Sequence, residues 1–287
     1  MTETRIGIIG GTGLYQMEGL NDVKEVYLDT PFGKPSDAIV TGTFHGVGVA
    51  FLPRHGRGHF FSPSEIPVRA NIYAMKAIGV QRIISVSAVG SLREEISPLD
   101  MVIPDQIIDK TKGRVSTFFG DGIVAHVGFA EPFCPYMTEA LHRGSEKIGA
   151  KVHPTGTYVV MEGPQFSTKA ESHMYRSWGA DVIGMTALPE AKLAREAEIC
   201  YAILACSTDY DCWHESETPV TVEMVVANLN KNTSLSKAIL ADVIPSLSEE
   251  RNCSCGSALE NTIITAREAI PTEALGRLAL LVDKYLK

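Results

Sequence analysis

The sequence predicts an α/β fold, a single domain with a central mixed, largely parallel sheet flanked by helices. Three observations carry that expectation. Short runs of Val, Ile and Ala end repeatedly in Gly or polar residues, as strands buried on both faces do. Stretches of helical spacing alternate with them. No repeat, low-complexity tract or long linker divides the 287 residues, a length that one large α/β domain accommodates.

The expected strands are 5–10, 37–43, 48–53, 82–88, 101–108, 157–161, 181–185 and 200–206. The expected helices are 67–78, 135–148, 168–178, 189–197 and 221–243. The first of these opens on Pro67, a good first helical residue. Phe44-His45-Gly46 joins two apolar runs so tightly that a hairpin is expected there. The chain closes with a tail and helix at about 246–287: a polar, loop-like stretch, then Leu275, Leu278, Leu281, Val282 and Tyr285 at helical spacing. Such a helix must pack on the body or on another subunit.

Composition narrows the partners. With 45% hydrophobic and 21% charged residues the chain buries a sizeable core without metals or disulfides. A net charge of −8 argues against a nucleic-acid surface, which needs clustered Lys and Arg. Any anionic ligand must therefore be drawn in by a local site. Residues 1–9 do not read as a signal peptide, and no apolar run reaches the roughly 20 residues of a membrane helix. No membrane association is expected and the expected compartment is cytoplasmic. There, free thiols are the default state of the six cysteines.

Polar residues recur at the C-terminal ends of the expected strands, the edge where open α/β sheets bind ligands. Gly10-Gly11-Thr12-Gly13 fits either a plain turn or backbone N–H groups aimed at an anion. No Gly-Lys-Ser/Thr follows, and the third glycine of a dinucleotide fingerprint is missing. Arg54-His55-Gly56-Arg57-Gly58-His59 gathers two arginines and two histidines in six residues, which favours an anion site over a role in stability. Ser87 and Ala88 offer a hydroxyl and backbone N–H groups at another strand end, or simply a turn. Glu162 to Phe166 and Gly184-Met185-Thr186 follow two more strands. Phe166 suits stacking on a flat ring and Met185 suits covering a sugar face, although each also fits a core. Asp209 and Asp211 follow the last apolar strand. Paired acids of this kind can protonate a leaving group, or merely cap and solvate a turn. A metal set around them lacks a third ligand at suitable spacing, His214 being one weak candidate.

Taken in order, the stretches IGIIGGTG, DTPFGKPSD, RHGRGH, GSLREEI, AEPFCP, EGPQFS, WGADVIGMT and STDYDCW resemble the methylthioadenosine branch of the trimeric purine nucleoside phosphorylase family. The match runs from residue 5 to about residue 240, some four-fifths of the chain. The resemblance implies phosphorolysis of 5'-methylthioadenosine to adenine and 5-methylthioribose 1-phosphate. It implies no cofactor, inorganic phosphate being a co-substrate, and no catalytic metal. It assigns phosphate binding to Thr12, Arg54, His55, Ser87, Ala88 and Thr186, and places the family's second histidine of that loop at His59. Met185 would line the ribose and Phe166 the base, while Asp209 and Asp211 would read the purine and serve catalysis. Val220, Val222 and Val225 would form the 5'-methylthio pocket, with His126 reaching it from a neighbouring subunit.

The 6-oxopurine branch carries asparagine where this chain has Asp209, so the resemblance points to a 6-aminopurine. A phosphorylase of 6-oxopurine nucleosides is the nearest alternative, and a non-catalytic nucleotide-binding module on the same fold a remote one. The partners implied are a small-molecule nucleoside, phosphate, and further copies of the chain in a homo-oligomer, a trimer or hexamer. Cys253-Ser254-Cys255 looks like the extended C-terminus of some prokaryotic members, in which such cysteines can form disulfides. Free thiols stay equally open, and a metal site is a lesser option because no second pair sits at ligand spacing.

Overall fold

The computed structural model describes residues 4–11, 13–14, 17–214, 222–247 and 251–286, with only the backbone considered at Thr4, Val222, Met224 and Val225. Among the described residues eleven strands form one sheet. They are β1 (Thr4–Gly10), β2 (Leu20–Val26), β3 (Ile39–Phe44), β4 (Val47–Pro53), β5 (Arg82–Ser91) and β6 (Met101–Val102), then β7 (Gln106–Lys110), β8 (Val152–His153), β9 (Thr157–Met161), β10 (Val182–Gly184) and β11 (Cys200–Asp209). The helices are α1 (Val68–Ala77), α2 (Pro135–Lys147), α3 (Lys169–Ser177), α4 (Ala187–Glu196), α5 (Val222–Ser246) and α6 (Thr272–Leu286).

The strand order is β2-β3-β4-β1-β5-β10-β9-β7, with β11 on the other edge of β5, followed by β6 and β8. Pairing is parallel for β1 with β4 and β5, β5 with β11, β9 with β10 and β7, and β6 with β8. It is antiparallel for β2/β3, β3/β4, β5/β10 and β6/β11. The expected mixed, mostly parallel sheet is present.

Where elements differ from expectation, local chemistry explains it. The run 101–108 is two strands because Pro104 has no N–H to give the ladder. β2 escaped the sequence reading because it is an edge strand whose five central residues, Asn21–Glu25, are all exposed, so no apolar alternation marks it. The hairpin forms as anticipated: Phe44 pairs with Val47, and His45 and Gly46 take φ of 47° and 80°, the left-handed pair that matches strand twist.

Side-chain alternation builds the two faces. Along β11, Cys200, Ala202, Leu204 and Cys206 point to the layer containing Met137 and Leu141 of α2 and Ile239, Leu240 and Val243 of α5. Tyr201, Ile203 and Ala205 point to the opposite layer, with Ile72 of α1, Leu193 of α4 and Leu278 of α6. All ten residues of β11 are buried, as a central strand covered on both faces must be. α6 buries Ala274, Leu278, Leu281 and Val282 against this body, which settles where the closing helix packs.

One topological feature positions the site. β11 covers one edge of β5 from Arg82 to Gly90. On the other edge β1 pairs only from Arg82 to Ser85, and β10 only at Gly90 and Ser91. Among the described residues no strand pairs with that edge of β5 between Ser85 and Gly90, so the sheet opens there. This opening is the sort of crevice in which α/β sheets place ligands.

Candidate functional site

Arg54, one residue past β4, closes the bottom of this opening. Its NH1 donates to the Val86 carbonyl at 3.1 Å and its NH2 to the Ile9 carbonyl at 3.2 Å, so it ties the end of β1 to the middle of β5. Glycine at position 10 makes this close approach possible. A Cβ there would lie 2.4 Å from Leu14 and 3.2 Å from the Val86 carbonyl. The planar fork expected on an anion is spent largely inside the protein. Nε and NH2 of Arg54 meet the Glu190 carboxylate at 3.0 and 3.2 Å, and both side chains are almost wholly buried. Ser85 Oγ and Tyr201 OH also donate to Glu190, each at 2.8 Å. Burial disfavours the Arg54 charge, but Glu190 more than offsets this and its pKa is raised.

Above this buried pair lies a cluster of hydroxyls. Ser87 Oγ sits 3.1 Å from Thr186 Oγ1 and 3.4 Å from Tyr158 OH, while Ala88 beside it is exposed on the open edge. Thr186 arrives from the turn between β10 and α4, far away in sequence. Both side chains belong to predicted anion contacts and the fold brings them together. Gly184 must lack a side chain for this to happen, since a Cβ would fall 2.0 Å from Tyr158 OH. Gly184→Ala is expected to displace Tyr158 and the Ser87–Thr186 pair. Thermal unfolding should register a loss of about 1–3 kcal/mol, typical of an overpacked core.

His55 flanks the cluster, half-buried, with Nδ1 2.8 Å from the Phe61 carbonyl and its ring stacked on that of His59 at 4.2 Å. Burial lowers the His55 pKa to about 4, with Arg54 and His59 adding to the effect. Imidazole is therefore neutral at physiological pH, and its Nδ1–H points at the carbonyl. A folded pKa below the free value of 6.5 means that the unfolded chain takes up the proton first. Stability contributed by neutral His55 is complete above about pH 6.5 and falls as pH drops toward 4. Denaturant midpoints measured from pH 4 to 8 should show a shallower acid loss in His55→Gln than in the parent.

The two acids stand at the far end of the opening. Asp209 is the last residue of β11 and is 8% exposed. Its carboxylate accepts from Thr208 Oγ1 at 2.6 Å and from the Asp211 N–H at 2.8 Å. Burial outweighs both bonds and raises its pKa. Burial also raises Asp211, and repulsion from Asp209 adds to this. Asp211 takes φ of 51°, a left-handed turn that Asp tolerates better than most residues. Gly90 admits the pair, since a Cβ there would lie 3.1 Å from Asp209 Oδ1 and 3.3 Å from Asp211 Cβ. Asn228 and Asn232 of α5 donate to the Thr208 and Ser207 carbonyls at 2.7 and 2.9 Å, which anchors that helix to the end of β11.

Met185 and Phe166 lie on adjoining loops. Gly163, at φ of 68°, leaves the space that Met185 Sδ fills. Phe166 is 53% exposed, an aromatic ring without a core around it. Arg114, which sequence reasoning missed, fixes this wall by donating to the Met185 and Leu188 carbonyls at 2.6 and 2.9 Å and pairing with Glu162 at 3.2 Å. Arg114 also lines a cavity of roughly 230 Å³ between Phe32, Ser64, Arg69 and Pro189, which none of the described predicted site residues lines.

Some predicted residues stand apart. Arg57, read as part of the cationic loop, is turned away to pair with Asp37 at 2.9 Å and Glu25 at 2.6 Å. His126 is exposed, its N–H bonded to the Thr262 carbonyl at 3.0 Å. Thr12 and Val220 lie outside the described residues, as do the side chains of Val222 and Val225.

The sheet thus opens over a hydroxyl-lined floor, with two acids at the far end, Asp209 buried and Asp211 half-buried. The chain belongs to the phosphorylase superfamily, whose pattern matches residues 5–245. It is 55% identical to the S-methyl-5'-thioadenosine phosphorylase of Geobacter sulfurreducens over 99% of this chain and 100% of that one. The enzyme of the same name from Synechocystis is 56% identical over 99% and 89%. Among solved structures, a methylthioadenosine phosphorylase from an antarctic soil metagenomic library superposes with a TM-score of 0.94 at 52% identity, covering 98% of this chain and 99% of that one. The methylthioadenosine phosphorylase of Schistosoma mansoni, in complex with adenine, gives 0.83 at 34% identity, covering 98% of each.

Proposed function

We propose that the protein cleaves 5'-methylthioadenosine with inorganic phosphate, releasing adenine and 5-methylthioribose 1-phosphate. The observation that carries this reading is the pairing, across one opening, of a neutral hydroxyl-rich floor with a buried acid of raised pKa. The named activity of relatives 55% and 56% identical supports it.

Phosphate would lie over Ser87, Thr186, His55 and the Ala88 backbone, with Thr12 and His59 closing the site. Arg54 contributes its remaining NH1 donor while Glu190 holds it in place. A phosphate oxygen forms the bond to C1' as the bond from C1' to N9 breaks, and its charge stabilises the cationic sugar between them. The electron pair leaves with the purine, and protonated Asp209 supplies the proton at N7. Asp211 accepts from the 6-amino group. Phe166 stacks on the base and Met185 covers the ribose. No cofactor enters these steps.

The family resemblance assigns Val220, Val222 and Val225 to the 5'-methylthio pocket, and the anchoring of α5 to the end of β11 near Asp209 supports that assignment. Exposed His126 suits a pocket shared between copies, which makes the working form a homo-oligomer, a trimer or a pair of trimers. The chain forms one phosphorylase domain that works in the cytoplasm. Among the described residues no helix is long and apolar enough to cross a membrane.

A substrate panel tests the assignment. Methylthioadenosine should be turned over at least about 10-fold faster, by kcat/KM, than adenosine, which brings a hydroxyl to an apolar pocket. Preference for inosine or methylthioinosine would overturn the base assignment, and preference for adenosine would overturn the pocket.

A further inference from the structure

Four of the six cysteines meet at the opposite end of β11 from the acids. Cys134, Cys200, Cys253 and Cys255 place their sulfurs all within 4.8 Å of one another, and Cys200 and Cys253 are 3.3 Å apart. Three segments distant in sequence supply them. Cys134 is the N-cap of α2, Cys200 opens β11, and Cys253 and Cys255 flank the start of a short 3-10 turn, Ser254–Ser257. Nine residue steps of strand separate Cys200 from Asp209, roughly 30 Å at about 3.3 Å per step. The proposed phosphorolysis uses none of these thiols.

We propose that the four thiols form a tetrahedral binding site for one soft divalent metal ion, with zinc as its occupant. Zinc–sulfur bonds of about 2.3 Å arranged tetrahedrally put sulfurs about 3.8 Å apart, close to the spread seen here. Thiolate donors select zinc over the hard cations magnesium and calcium. Three of the sulfurs belong to buried residues and Cys253 is half-buried, so the cluster is enclosed yet has one side for entry. An all-thiolate, closed set of four is the form of a structural site, with no open position for substrate.

Loading is a simple exchange: zinc replaces four thiol protons, leaving a doubly negative centre. Two positive features lie near it. The N-terminus of the thirteen-residue helix α2 begins at Cys134. The Arg251 guanidinium lies over Gly256, where a Cβ would come within 2.8 Å of it, next to Cys255. The bound ion would staple the tail to the start of β11. Just beyond Cys200 in the fold, Glu198 gathers the Leu259 N–H at 3.0 Å, Tyr285 OH at 2.5 Å and Lys284 at 2.6 Å. The staple therefore secures the segment that leads into α6.

The test uses the full chain, reduced and stripped with chelator, then given one equivalent of zinc and desalted. About one zinc per chain should be retained, and titratable thiols should fall from six to two until chelator is added back. Cobalt in place of zinc should give sulfur-to-cobalt charge-transfer bands with the visible bands of a tetrahedral ion. The double variant Cys253→Ser, Cys255→Ser should retain less than about a tenth as much metal while still cleaving substrate. Six free thiols with no retained zinc would overturn the proposal. So would a thiol count below six in metal-free, unreduced protein that reductant restores, since that identifies disulfides as the occupant. Should the double variant fail to fold, the cobalt spectrum and thiol count of the parent chain decide alone.

Discussion

Asp209→Asn is expected to lower kcat/KM for methylthioadenosine by at least about 100-fold, the usual loss when a general acid is removed. Three observations lead there. The carboxyl is buried at the end of β11, its pKa is raised, and beside its two donating neighbours it lies against Gly90, where the opening ends. Asparagine keeps the volume and an acceptor for one of these neighbours, so the fold should survive. It also brings an amide donor suited to a 6-oxopurine, so the ratio of inosine to methylthioadenosine cleavage should rise. Because only the protonated carboxyl delivers a proton, the parent rate should fall on the alkaline side of the profile. That limb should vanish in Asp209→Asn. An unchanged base preference with full activity would remove Asp209 from the account.

Glu190→Gln is expected to be the most damaging single change to stability, costing about 3–5 kcal/mol, because it leaves the buried Arg54 charge without its counter-ion. Glu190 serves Arg54, Ser85 and Tyr201 together, and Ser85 is the residue at which β1 and β5 part. The opening should therefore loosen as well, raising the KM for phosphate more than that for nucleoside. Urea unfolding followed by phosphate-dependent kinetics checks both effects. Loss of stability with an unaltered phosphate KM would make Glu190 a purely structural partner.

The contrast between these residues shows what a sequence reveals about a site. Asp209 stood out as a candidate because it follows an apolar strand, although capping a turn fitted it as well, and its role came with the family resemblance. Glu190 did not stand out, since a glutamate early in a helix reads as a first-turn acid facing water; only the packing of α4 against Arg54 buries it. Arg54 was read as an anion contact, whereas the structure shows most of its guanidinium holding Glu190 and two strand carbonyls. Arg57 looked equivalent in the same loop, yet Glu25 and the partly buried Asp37 draw it away.

Much of the fold was readable for similar reasons. Central strands such as β11 are apolar from Cys200 to Cys206, and the Phe44–Val47 hairpin carries its own turn residues. β2 was lost because its stability comes from pairing with β3 along an exposed edge rather than from burying a face. The four-cysteine cluster was hidden for the opposite reason: Cys134 and Cys200 are a second pair only in space, 66 residues apart along the chain (200 − 134).

The central claim is that the opening holds phosphate against a nucleoside whose base leaves by protonation. The direct measurement is adenine release from methylthioadenosine with and without inorganic phosphate. The account predicts rapid release only with phosphate, accompanied by an equal amount of 5-methylthioribose 1-phosphate. Release at the same rate without phosphate, giving free methylthioribose, would mean that water attacks instead and would contradict it.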